Sequence, residues 1–355
     1  MNILHIIDSL GLGGAQTVVK GIFEYQQHNS SLFLFVLRTR EITMKINHDN
    51  VFICNSSQKY SPSKLFKLKN IIKENNIQIL HCHLLGSLLY GFLVKVIFFP
   101  KIKLVYHEHG SILQKWNVYE ILLKFFSKKI DSIIAVSNGV KDSLIKIIGY
   151  KEENIFVIFN FYDISRIGEF VKEPSRHDKV VFGFIGRLDK LKGCEYIINS
   201  LKFINYPYSL IIAGDGPEKE NLIKLATDNN VIANIKFLGY ITKPEDFYNS
   251  IDVLVIASSS EASPMILYEA QYKGKPIIAG NVIALNEFIK DGYNGFLYKY
   301  ADINELASKV NSFCQIYQEP SKYQELVNNS HNYIKEYTIE RTYNKISDMY
   351  AILFN

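Results

Sequence analysis

Residues 258–297 read SSSEASPMILYEAQYKGKPIIAGNVIALNEFIKDGYNGFL and contain two glutamates, Glu261 and Glu269, with seven residues between them. An apolar run at residues 251–257 precedes this stretch and is typical of a buried parallel strand. Apolar residues at helical spacing follow, so Glu261 is predicted to lie in a strand-to-helix loop and Glu269 in the helix. Pro264 suits the first helical turn, where free backbone N–H groups bind anions. Two carboxylates above such a site suit hydrogen bonds from the hydroxyls of a sugar or ribose better than contact with phosphate.

This arrangement resembles the EX7E signature of the retaining GT-B glycosyltransferases, in particular family 4. Residues 272–279 (YKGKPIIA) are similar to the family's Gly-x-Pro strand, and residues 288–297 (FIKDGYNGFL) are similar to its closing segment. The resemblance implies that Glu261 contacts the donor sugar and that Glu269 contacts the ribose of the nucleotide. The chain departs from the family pattern directly after Glu261 and at residues 281–286. Both departures leave the identity of the donor sugar open.

Length and composition limit the class of protein. A chain of 355 residues, 48% of them hydrophobic, predicts two folded domains and argues against disorder. The four cysteines form no CxxC pair and no signal peptide is recognisable, so a reducing cytosol and no structural zinc are predicted. His81-Cys82-His83 could bind a metal in principle, but packed histidines at a strand end are the favoured interpretation. Residues 84–99 are too short and interrupted for a membrane span and are interpreted as a buried helix.

The net charge of +5 is uneven, because residues 1–176 have an excess of Lys and Arg whereas residues 177–355 have a small excess of Asp and Glu. The two halves are therefore expected to have different partners. Two predicted helices, residues 64–74 and 116–129, combine lysines with apolar residues. Such helices suit an anionic membrane surface, and an ordinary amphipathic helix packed on a core is the alternative. The lysines concerned are Lys64, Lys67, Lys69, Lys73, Lys115, Lys124, Lys128 and Lys129.

The start of the chain predicts a nucleotide-binding α/β unit. A strand at residues 2–7 leads into Gly11-Leu12-Gly13-Gly14 and a helix at residues 15–27. The loop is not a GxGxxG fingerprint, and Arg38 stands where a dinucleotide fold has its ribose-binding acid, so a dinucleotide fold is disfavoured. Strands and helices continue to alternate, with strands at residues 77–81, 103–107 and 132–136. This alternation predicts a parallel, doubly wound sheet.

Candidate site residues lie at predicted strand ends, where open α/β sheets bind their ligands. His107-Glu108-His109-Gly110 follows one strand. Arg187 and Lys192 follow another, and two cations beside a helix start suit a diphosphate whose negative charge grows as it departs. The family resemblance assigns His109 to the sugar near its anomeric carbon, with His107 as the alternative. It adds these residues to the nucleotide-sugar site: Gly13, Gly14, Gly186, Gly216, Tyr240, Ser263, Pro264, Met265 and Ile266.

The predicted architecture is an α/β protein of the GT-B fold, with two Rossmann-like domains facing across a cleft. The N-terminal, acceptor-side domain is expected at residues 1–163 and the C-terminal, nucleotide-sugar-binding domain at residues 179–338. Polar residues 164–178 are interpreted as the linker between them. Residues 339–355 are predicted to end in a helix, which in this family crosses back to the N-terminal domain.

The resemblance implies retaining transfer of a sugar from a nucleotide-diphosphate sugar, with a UDP-sugar favoured, to an acceptor hydroxyl. A glycan or lipid-linked acceptor is expected, in bacterial surface polysaccharide or glycolipid assembly at the cytoplasmic face of the cell membrane. No metal is expected to be required, because Arg187 and Lys192 supply the positive charge, and no nucleic acid is expected as a partner. A sugar-nucleotide epimerase or a phosphorylase of related fold is the alternative. A nicotinamide dehydrogenase is disfavoured by the missing ribose acid, and a binding module without activity by the presence of all the charged positions.

Overall fold

The computed structural model describes residues 1–11, 13–39, 44–56, 58, 60–110, 117–172 and 178–354. The chain divides into two compact units, Met1–Phe161 together with Ile339–Asn355, and Tyr162–Thr338. Some predicted features fall on residues outside the described ranges. They are Leu12 of the glycine loop, Lys115 and the first residue of the helix predicted at residues 116–129, and residues 173–177 of the expected linker.

The first unit is built on a parallel sheet. Its strands are β1 (Ile3–Ile7), β2 (Leu32–Val36), β3 (Val51–Ile53), β4 (Ile79–His83), β5 (Lys103–Glu108), β6 (Ser132–Ala135) and β7 (Ile155–Val157). In the described part of the chain they form a seven-stranded sheet of order β3-β2-β1-β4-β5-β6-β7. Its helices are α1 (Gly14–Tyr25), α2 (Pro62–Glu74), α3 (Leu84–Ile97), α4 (Asn117–Phe126), α5 (Asn138–Ser143) and, from the end of the chain, α14 (Ile339–Ile352).

The second unit repeats this architecture. Its helices are α6 (Ile164–Ile167), α7 (Cys194–Ser200), α8 (Lys219–Asp228), α9 (Pro244–Ser250), α10 (Met265–Tyr272), α11 (Leu285–Phe288), α12 (Ile303–Gln318) and α13 (Pro320–Ile334). Its strands are β8 (Val180–Ile185), β9 (Tyr208–Ala213), β10 (Ile235–Gly239), β11 (Val253–Ile256), β12 (Ile277–Gly280) and β13 (Gly295–Tyr298). Within the described residues they form a six-stranded parallel sheet of order β10-β9-β8-β11-β12-β13.

The apolar character of the strands explains why both sheets are buried on two faces. Every residue of β1, β2 and β11 is buried, as expected for parallel strands covered by helices on both sides. Helix α3 packs on β1, β4 and β5. A Cβ atom at Gly91 of this helix would lie 2.5 Å from Cys82 Sγ, so the glycine permits the close approach of helix and sheet.

The prediction of alternating strands and helices is confirmed, with differences at the boundaries. Strand β4 ends at His83 and not at residue 81, because its register aligns Ile79 with Ile3 of β1 and His83 with His107 of β5. Helix α6 lies within the expected linker, where Ile167 is fully buried and Phe170 packs against the core of the second unit. The described part of residues 164–178 therefore belongs to that unit.

One predicted surface lysine is not at the surface. Lys64 is only 2% exposed, and its ammonium group donates to the backbone carbonyl of Gln58. The expectation that it contacts a membrane is wrong, because α2 turns this face inward together with Leu68, Ile71 and Ile72. None of the described helices is both long enough and apolar enough to span a bilayer.

Candidate functional site

The topological switch point of the second sheet brings two loops to one edge. Strands β8 and β11 are neighbours, and the sheet continues from them in opposite directions, to β9 and to β12. Ligands of open parallel sheets bind outside the carboxyl ends of the strands at such a point. The loop after β8 carries Arg187 and Lys192, and the loop after β11 carries Glu261. Three predicted site residues therefore share this edge.

Two ion pairs organise the loops. Lys192 Nζ lies 2.6 Å from Glu261 Oε1 and joins the loop after β8 to the loop after β11. The Glu261 side chain is 9% exposed, so its carboxylate is largely withdrawn from water. Arg187 Nε lies 2.6 Å from Asp189 Oδ2, but the Arg187 side chain remains 70% exposed. Arg187 is thus open to an anionic ligand, whereas Lys192 is held beside Glu261.

Local backbone geometry fixes the position of Lys192. The Asp189 carboxylate caps the short turn Lys190–Lys192 by accepting a hydrogen bond from the Lys192 backbone N–H at 3.1 Å. Gly193 ends this turn at φ 64°, in the left-handed region that favours glycine. A Cβ atom there would lie 2.2 Å from the Ala257 carbonyl oxygen at the end of β11. Glycine therefore lets the two loops meet closely enough for the Lys192–Glu261 pair.

The pairing changes the electrostatic interpretation of this edge. The sequence predicts two cations available for a diphosphate, but each cation has a carboxylate partner at 2.6 Å. Asp189 is the residue that the sequence interpretation missed, although it lies two positions after Arg187. An entering diphosphate would share Arg187 with Asp189 and Lys192 with Glu261. The two carboxylates repel the diphosphate and thereby weaken its attraction to the cations.

Glu269 occupies a buried position in helix α10. Its Oε2 accepts a hydrogen bond of 2.8 Å from the Tyr248 hydroxyl, and its Oε1 lies 3.5 Å from Arg166 Nη1. Oε1 has no hydrogen-bond partner among the described residues. Burial raises the pKa of the Glu269 carboxyl, and the positive charge of Arg166 and the Tyr248 hydroxyl partly offset that effect. The carboxylate therefore keeps one oxygen that a ligand hydroxyl could satisfy.

Arg166 and Tyr248 are also absent from the sequence-based candidates. Arg166 lies in helix α6, within the residues interpreted as a linker, and Tyr248 lies in α9. No spacing relates either of them to Glu269, from which they are distant in the chain. Only the packing of α6 on α9 brings them to the carboxylate, so no local signal could have identified them.

The remaining predicted residues of the second unit lie at the same end of the sheet, with different environments. The Ser263 hydroxyl is buried and lies 2.6 Å from the Tyr268 hydroxyl. Pro264 precedes α10 without a side-chain cap, Met265 is buried, and Ile266 is half-buried. Gly186 follows β8, and its N–H donates to the Ala213 carbonyl.

Gly216 and Tyr240 follow the neighbouring strands β9 and β10. A Cβ atom on Gly216 would lie 2.4 Å from the Leu188 carbonyl oxygen, so this glycine allows the loop after β9 to pack beside Arg187. Tyr240 is 54% exposed directly after β10 and offers an aromatic face at the sheet edge. Gly216 thus has a visible packing role, and Tyr240 is accessible to a ligand.

In the first unit, Gly13 and Gly14 are exposed at the start of α1, which the loop at residues 8–13 connects to the carboxyl end of β1. Arg38 donates from Nε to Asp8 Oδ1 at 2.8 Å, which joins the ends of β1 and β2. The arginine that replaces the ribose-binding acid is therefore neutralised within the unit. A helix N-terminus with exposed glycines remains open to a polar ligand at this edge.

His109 follows β5 directly and is half-buried, and His107 is the buried residue two positions earlier in the strand. They belong to a cluster with His5 on β1 and with His81 and His83 on β4. Burial lowers the pKa of His5 to about 3 and holds the pKa values of His81, His83 and His107 well below the usual range. The buried rings are therefore neutral at physiological pH.

The histidine cluster is the candidate for metal binding in the described residues. Two sets, His5 with His81 and His83, and His83 with His107 and His109, have ring nitrogens within 4.8 Å of one another. The rings of His107 and His109 are nearly parallel, with centroids 3.9 Å apart and an interplanar angle of 22°. In-plane lone pairs of parallel rings do not converge on one ion, whereas a metal needs convergent ligands. The nitrogens instead face one another in hydrogen bonds.

Comparison with known proteins identifies the family. Residues 13–166 match the model described as Glycosyltransferase Family 4, and residues 166–333 match the model described as Glycosyl transferases group 1. The chain is 28% identical to the O-antigen biosynthesis glycosyltransferase WbnH of Escherichia coli, over 89% of this chain and 91% of that one. It is 24% identical to the E. coli UDP-Gal:alpha-D-GlcNAc-diphosphoundecaprenol alpha-1,3-galactosyltransferase, over 81% and 78% of the two chains.

The solved structure of Anabaena Alr3699/HepE in complex with UDP and glucose has the same fold, with a TM-score of 0.85, 19% identity and 99% coverage of both chains. The predicted GT-B fold is thus confirmed over the whole chain. The two family models together span nearly all of the sequence, and both describe glycosyl transfer. The chain belongs to the group 1 glycosyltransferases of the GT-B fold.

Proposed function

We propose that this glycosyltransferase moves a sugar, with retention of the anomeric configuration, from a UDP-sugar to a hydroxyl of a lipid-linked glycan in bacterial surface polysaccharide assembly. The single observation that carries the proposal is the Lys192–Glu261 pair at the switch point of the second sheet. A cation for phosphate and a carboxylate for sugar hydroxyls lie side by side there. The relatives support the substrate class, since one is named for O-antigen biosynthesis and another for a UDP-Gal donor and a diphosphoundecaprenol acceptor.

Each charged residue has a proposed role in the transfer. Arg187 and Lys192 stabilise the diphosphate as the bond between the anomeric carbon and its phosphate oxygen breaks. Glu261 accepts hydrogen bonds from the sugar hydroxyls, and Glu269 accepts one from the ribose through Oε1. The acceptor oxygen then bonds to the anomeric carbon on the face that the phosphate leaves, and the acceptor proton passes to the departing phosphate oxygen. The diphosphate thus leaves with the proton, and the charge balances without an enzymic nucleophile.

The reaction is proposed to need no metal ion. The charge that a divalent cation supplies in other glycosyltransferases is supplied by the guanidinium of Arg187 and the ammonium of Lys192. The open guanidinium of Arg187 is suited to a fork of hydrogen bonds with phosphate oxygens. Lys192 adds a compact positive charge. Because its ammonium group lies 2.6 Å from Glu261, it is proposed to contact the phosphate at the point where the sugar pocket begins.

The test is turnover by variants in which Arg187 or Lys192 is replaced by Ala. Either change should lower turnover by about 100-fold or more, as for other lost transition-state contacts. Lys190→Ala is the matched control, because Lys190 is an exposed lysine of the same turn. Near-normal turnover in both variants would overturn the assignment. Turnover of the donor without an acceptor would favour an epimerase, and dependence on inorganic phosphate would favour a phosphorylase.

A second proposal concerns location, and it depends on the exposed face of helix α4. Val118, Ile121 and Phe125 are each more than 60% exposed, although they are apolar and spaced to form one stripe along the helix. Lys124, Lys128 and Lys129 are exposed around this stripe. The opposite side of the helix, with Leu123 and Phe126, is buried in the unit. An apolar stripe that faces outward among lysines suits the surface of an anionic membrane.

The energy available to this α4 face is enough for reversible attachment. Each lysine near anionic lipid contributes about 1 kcal/mol. Full burial of one such apolar side chain provides roughly 1.5–3 kcal/mol, and each of the three side chains contributes part of this energy when it enters the membrane surface. Binding should therefore weaken at high salt, since screening shortens the range of the charges while it leaves the apolar contribution intact.

Sedimentation with liposomes of phosphatidylglycerol tests the location. The protein should sediment at low salt and be largely released at 1 M salt. Exchanging Lys124, Lys128 and Lys129 for Glu, or Val118, Ile121 and Phe125 for Ser, should abolish sedimentation while nucleotide binding persists. Reversal of three exposed lysines of the second unit, Lys224, Lys236 and Lys322, serves as the charge-matched control. Wild-type protein that remains in the supernatant at low salt would refute the location.

A further inference from the structure

The five clustered histidines and one tyrosine form a continuous chain of hydrogen bonds. His109 Nε2 lies 2.9 Å from His83 Nδ1, and His83 Nε2 lies 2.9 Å from His5 Nδ1. His5 Nε2 lies 3.3 Å from the hydroxyl of Tyr350, which also contacts His81 Nδ1. His81 Nε2 lies 3.1 Å from His107 Nδ1. The chain thus runs from the half-buried strand end into the core, to helix α14, and back to β5.

Sheet register explains why these residues meet. His5 is aligned with His81 across β1 and β4, and His83 is aligned with His107 across β4 and β5. Residues two apart in a strand point to the same face, so all of these side chains share one face of the sheet. Tyr350 reaches that face from α14, and it is 1% exposed.

Each member of the chain has only one proton to donate. A neutral imidazole carries one N–H donor and one acceptor nitrogen, and a phenol hydroxyl donates once and can accept. If His83 donates toward His109, it must accept from His5, and the same requirement passes through Tyr350 to His81 and His107. A reversal between two rings would place two N–H groups or two lone pairs against each other in a buried site. A reversal at Tyr350 would leave either the phenol hydrogen or one ring nitrogen without a partner in the chain.

Only two arrangements therefore satisfy every link and also give the phenol hydrogen of Tyr350 an acceptor within the chain. In one, all five rings carry the proton on Nδ1, and in the other all five carry it on Nε2. His107 Nε2 ends the chain, since it is buried and has no hydrogen-bond partner among the described residues. Because the other end is His109, a change at Tyr350 can reach the strand end through two intervening rings.

We propose that this chain acts as one unit that fixes the protonated nitrogen of His109, with Tyr350, His5 and His83 as positioning residues. The consequence for the reaction depends on the proposed function, in which His109 contacts the donor sugar. A fixed tautomer determines whether the nitrogen of His109 that points away from His83 donates or accepts a hydrogen bond there. The tautomer itself is a property of the free protein and can be measured without any substrate.

The primary experiment is NMR of the free protein labelled with 15N in its histidines, at neutral pH, in which long-range proton–nitrogen couplings report the tautomer of each ring. Signals are assigned by replacing one histidine at a time. All five rings should be neutral, and all should carry the proton on the same type of nitrogen. A mixture of Nδ1–H and Nε2–H rings in the cluster would overturn the proposal, and so would an imidazolium ring.

The second experiment is the Tyr350→Phe variant, which removes the hydroxyl and divides the chain into His109–His83–His5 and His81–His107. The tautomer populations of His109 should change by at least several-fold, although the substituted atom is not in contact with it. Tyr343→Phe is the matched control, since Tyr343 lies on the same helix and its hydroxyl pairs with Asn29. An unchanged His109 signal in a folded Tyr350→Phe variant would overturn the coupling.

Kinetics and metal binding separate the remaining outcomes. Tyr350→Phe should lower kcat several-fold with little change in KM for the donor, while Tyr343→Phe leaves both unchanged. Altered tautomers with unchanged kcat would retain the chain and refute the role of His109 in the proposed function. Tight binding of cobalt(II) with loss of the tautomer signals would overturn the proposal, because the nitrogens would then serve as metal ligands.

Discussion

The proposed contact between Glu269 and the ribose leads to a quantitative prediction. In the free protein the Tyr248 hydroxyl occupies Oε2 of Glu269, while Oε1 is buried without a hydrogen-bond partner in the described structure. A ribose hydroxyl that donates to Oε1 would form a hydrogen bond to a charged acceptor, worth about 1.5–3 kcal/mol. With tenfold in affinity for each 1.4 kcal/mol, wild type should bind UDP roughly 10- to 100-fold more tightly than the deoxy analogue that lacks this hydroxyl.

The perturbation is Glu269→Gln, studied by calorimetry with UDP, 2′-deoxy-UDP and 3′-deoxy-UDP. The amide keeps the shape and an acceptor for Tyr248, but it removes the negative charge. The variant should lose most of the UDP affinity that comes from the ribose hydroxyl bonded to Oε1. Its preference for UDP over the deoxy analogue that lacks this hydroxyl should therefore fall below about threefold. Tyr248→Phe is the control, because it removes the contact to Oε2 and leaves Oε1 available.

Stability measurements show whether the variant is a fair probe. Burial raises the pKa of Glu269, so the folded protein holds this proton more tightly than the unfolded chain does. As pH rises above the ordinary glutamate range, the unfolded chain releases the proton first, and the wild-type residue costs stability. Glu269→Gln should therefore be more stable relative to wild type at pH 7 than at pH 4. A discrimination among the three nucleotides that survives in Glu269→Gln, or that is absent in wild type, would refute the ribose contact.

Four other results are expected. Glu261→Gln should leave UDP affinity within about threefold and lower sugar transfer by about 100-fold, and a reversed pattern would contradict the separate roles of the two glutamates. Asp189→Asn keeps the cap on the Lys190–Lys192 turn but removes the charge that pairs with Arg187. UDP affinity should then rise by up to about fivefold, which is the size of effect expected when an exposed ion pair is lost. A fall in affinity would show that Asp189 supports the site. Activity should survive EDTA, and loss that Mg²⁺ or Mn²⁺ restores would contradict metal independence. The unfolding free energy should fall by roughly 1.4 kcal/mol per pH unit for each buried neutral histidine as pH drops below about 6.5, because the unfolded chain takes up those protons; urea titrations that agree at pH 7.5 and 5.5 would contradict this.

Much of the fold could be predicted from the sequence because buried parallel strands appear in it as short apolar runs. Strands β1, β5 and β6 each differ from their predicted bounds by one residue at one end, and β4 is shifted by two residues. The short strands β3 and β7 were not predicted, since three residues at a sheet edge carry little periodicity. Helix α6 was missed for a related reason, because four residues in a polar context do not show a pattern, and their burial depends on the rest of the unit.

The candidate site shows a similar division. Arg187, Lys192 and Glu261 follow strand ends, so the rule for open sheets predicts that they lie at one edge, and the structure brings Lys192 and Glu261 into contact. Their compensation by carboxylates could not be predicted, since an ion pair depends on side-chain direction as well as on position. Arg166 could not be predicted either, because its distance from Glu269 is set by packing between helices. The histidines were visible as two separate motifs, but their connection depends on the register of three strands.

The two units limit the net charge at their candidate site residues in different ways, and the proposed reaction gives a reason for the difference. In the second unit, Arg187 and Lys192 each have a carboxylate partner at 2.6 Å, at the edge where the proposal places a diphosphate whose negative charge increases. In the first unit, burial removes the charge from the histidines instead. Positive charge develops at the anomeric carbon as the phosphate departs, and a cationic imidazole beside it would oppose that change. In the proposed reaction, in which His109 contacts the sugar, a neutral, hydrogen-bonded chain would provide a polar contact without this repulsion.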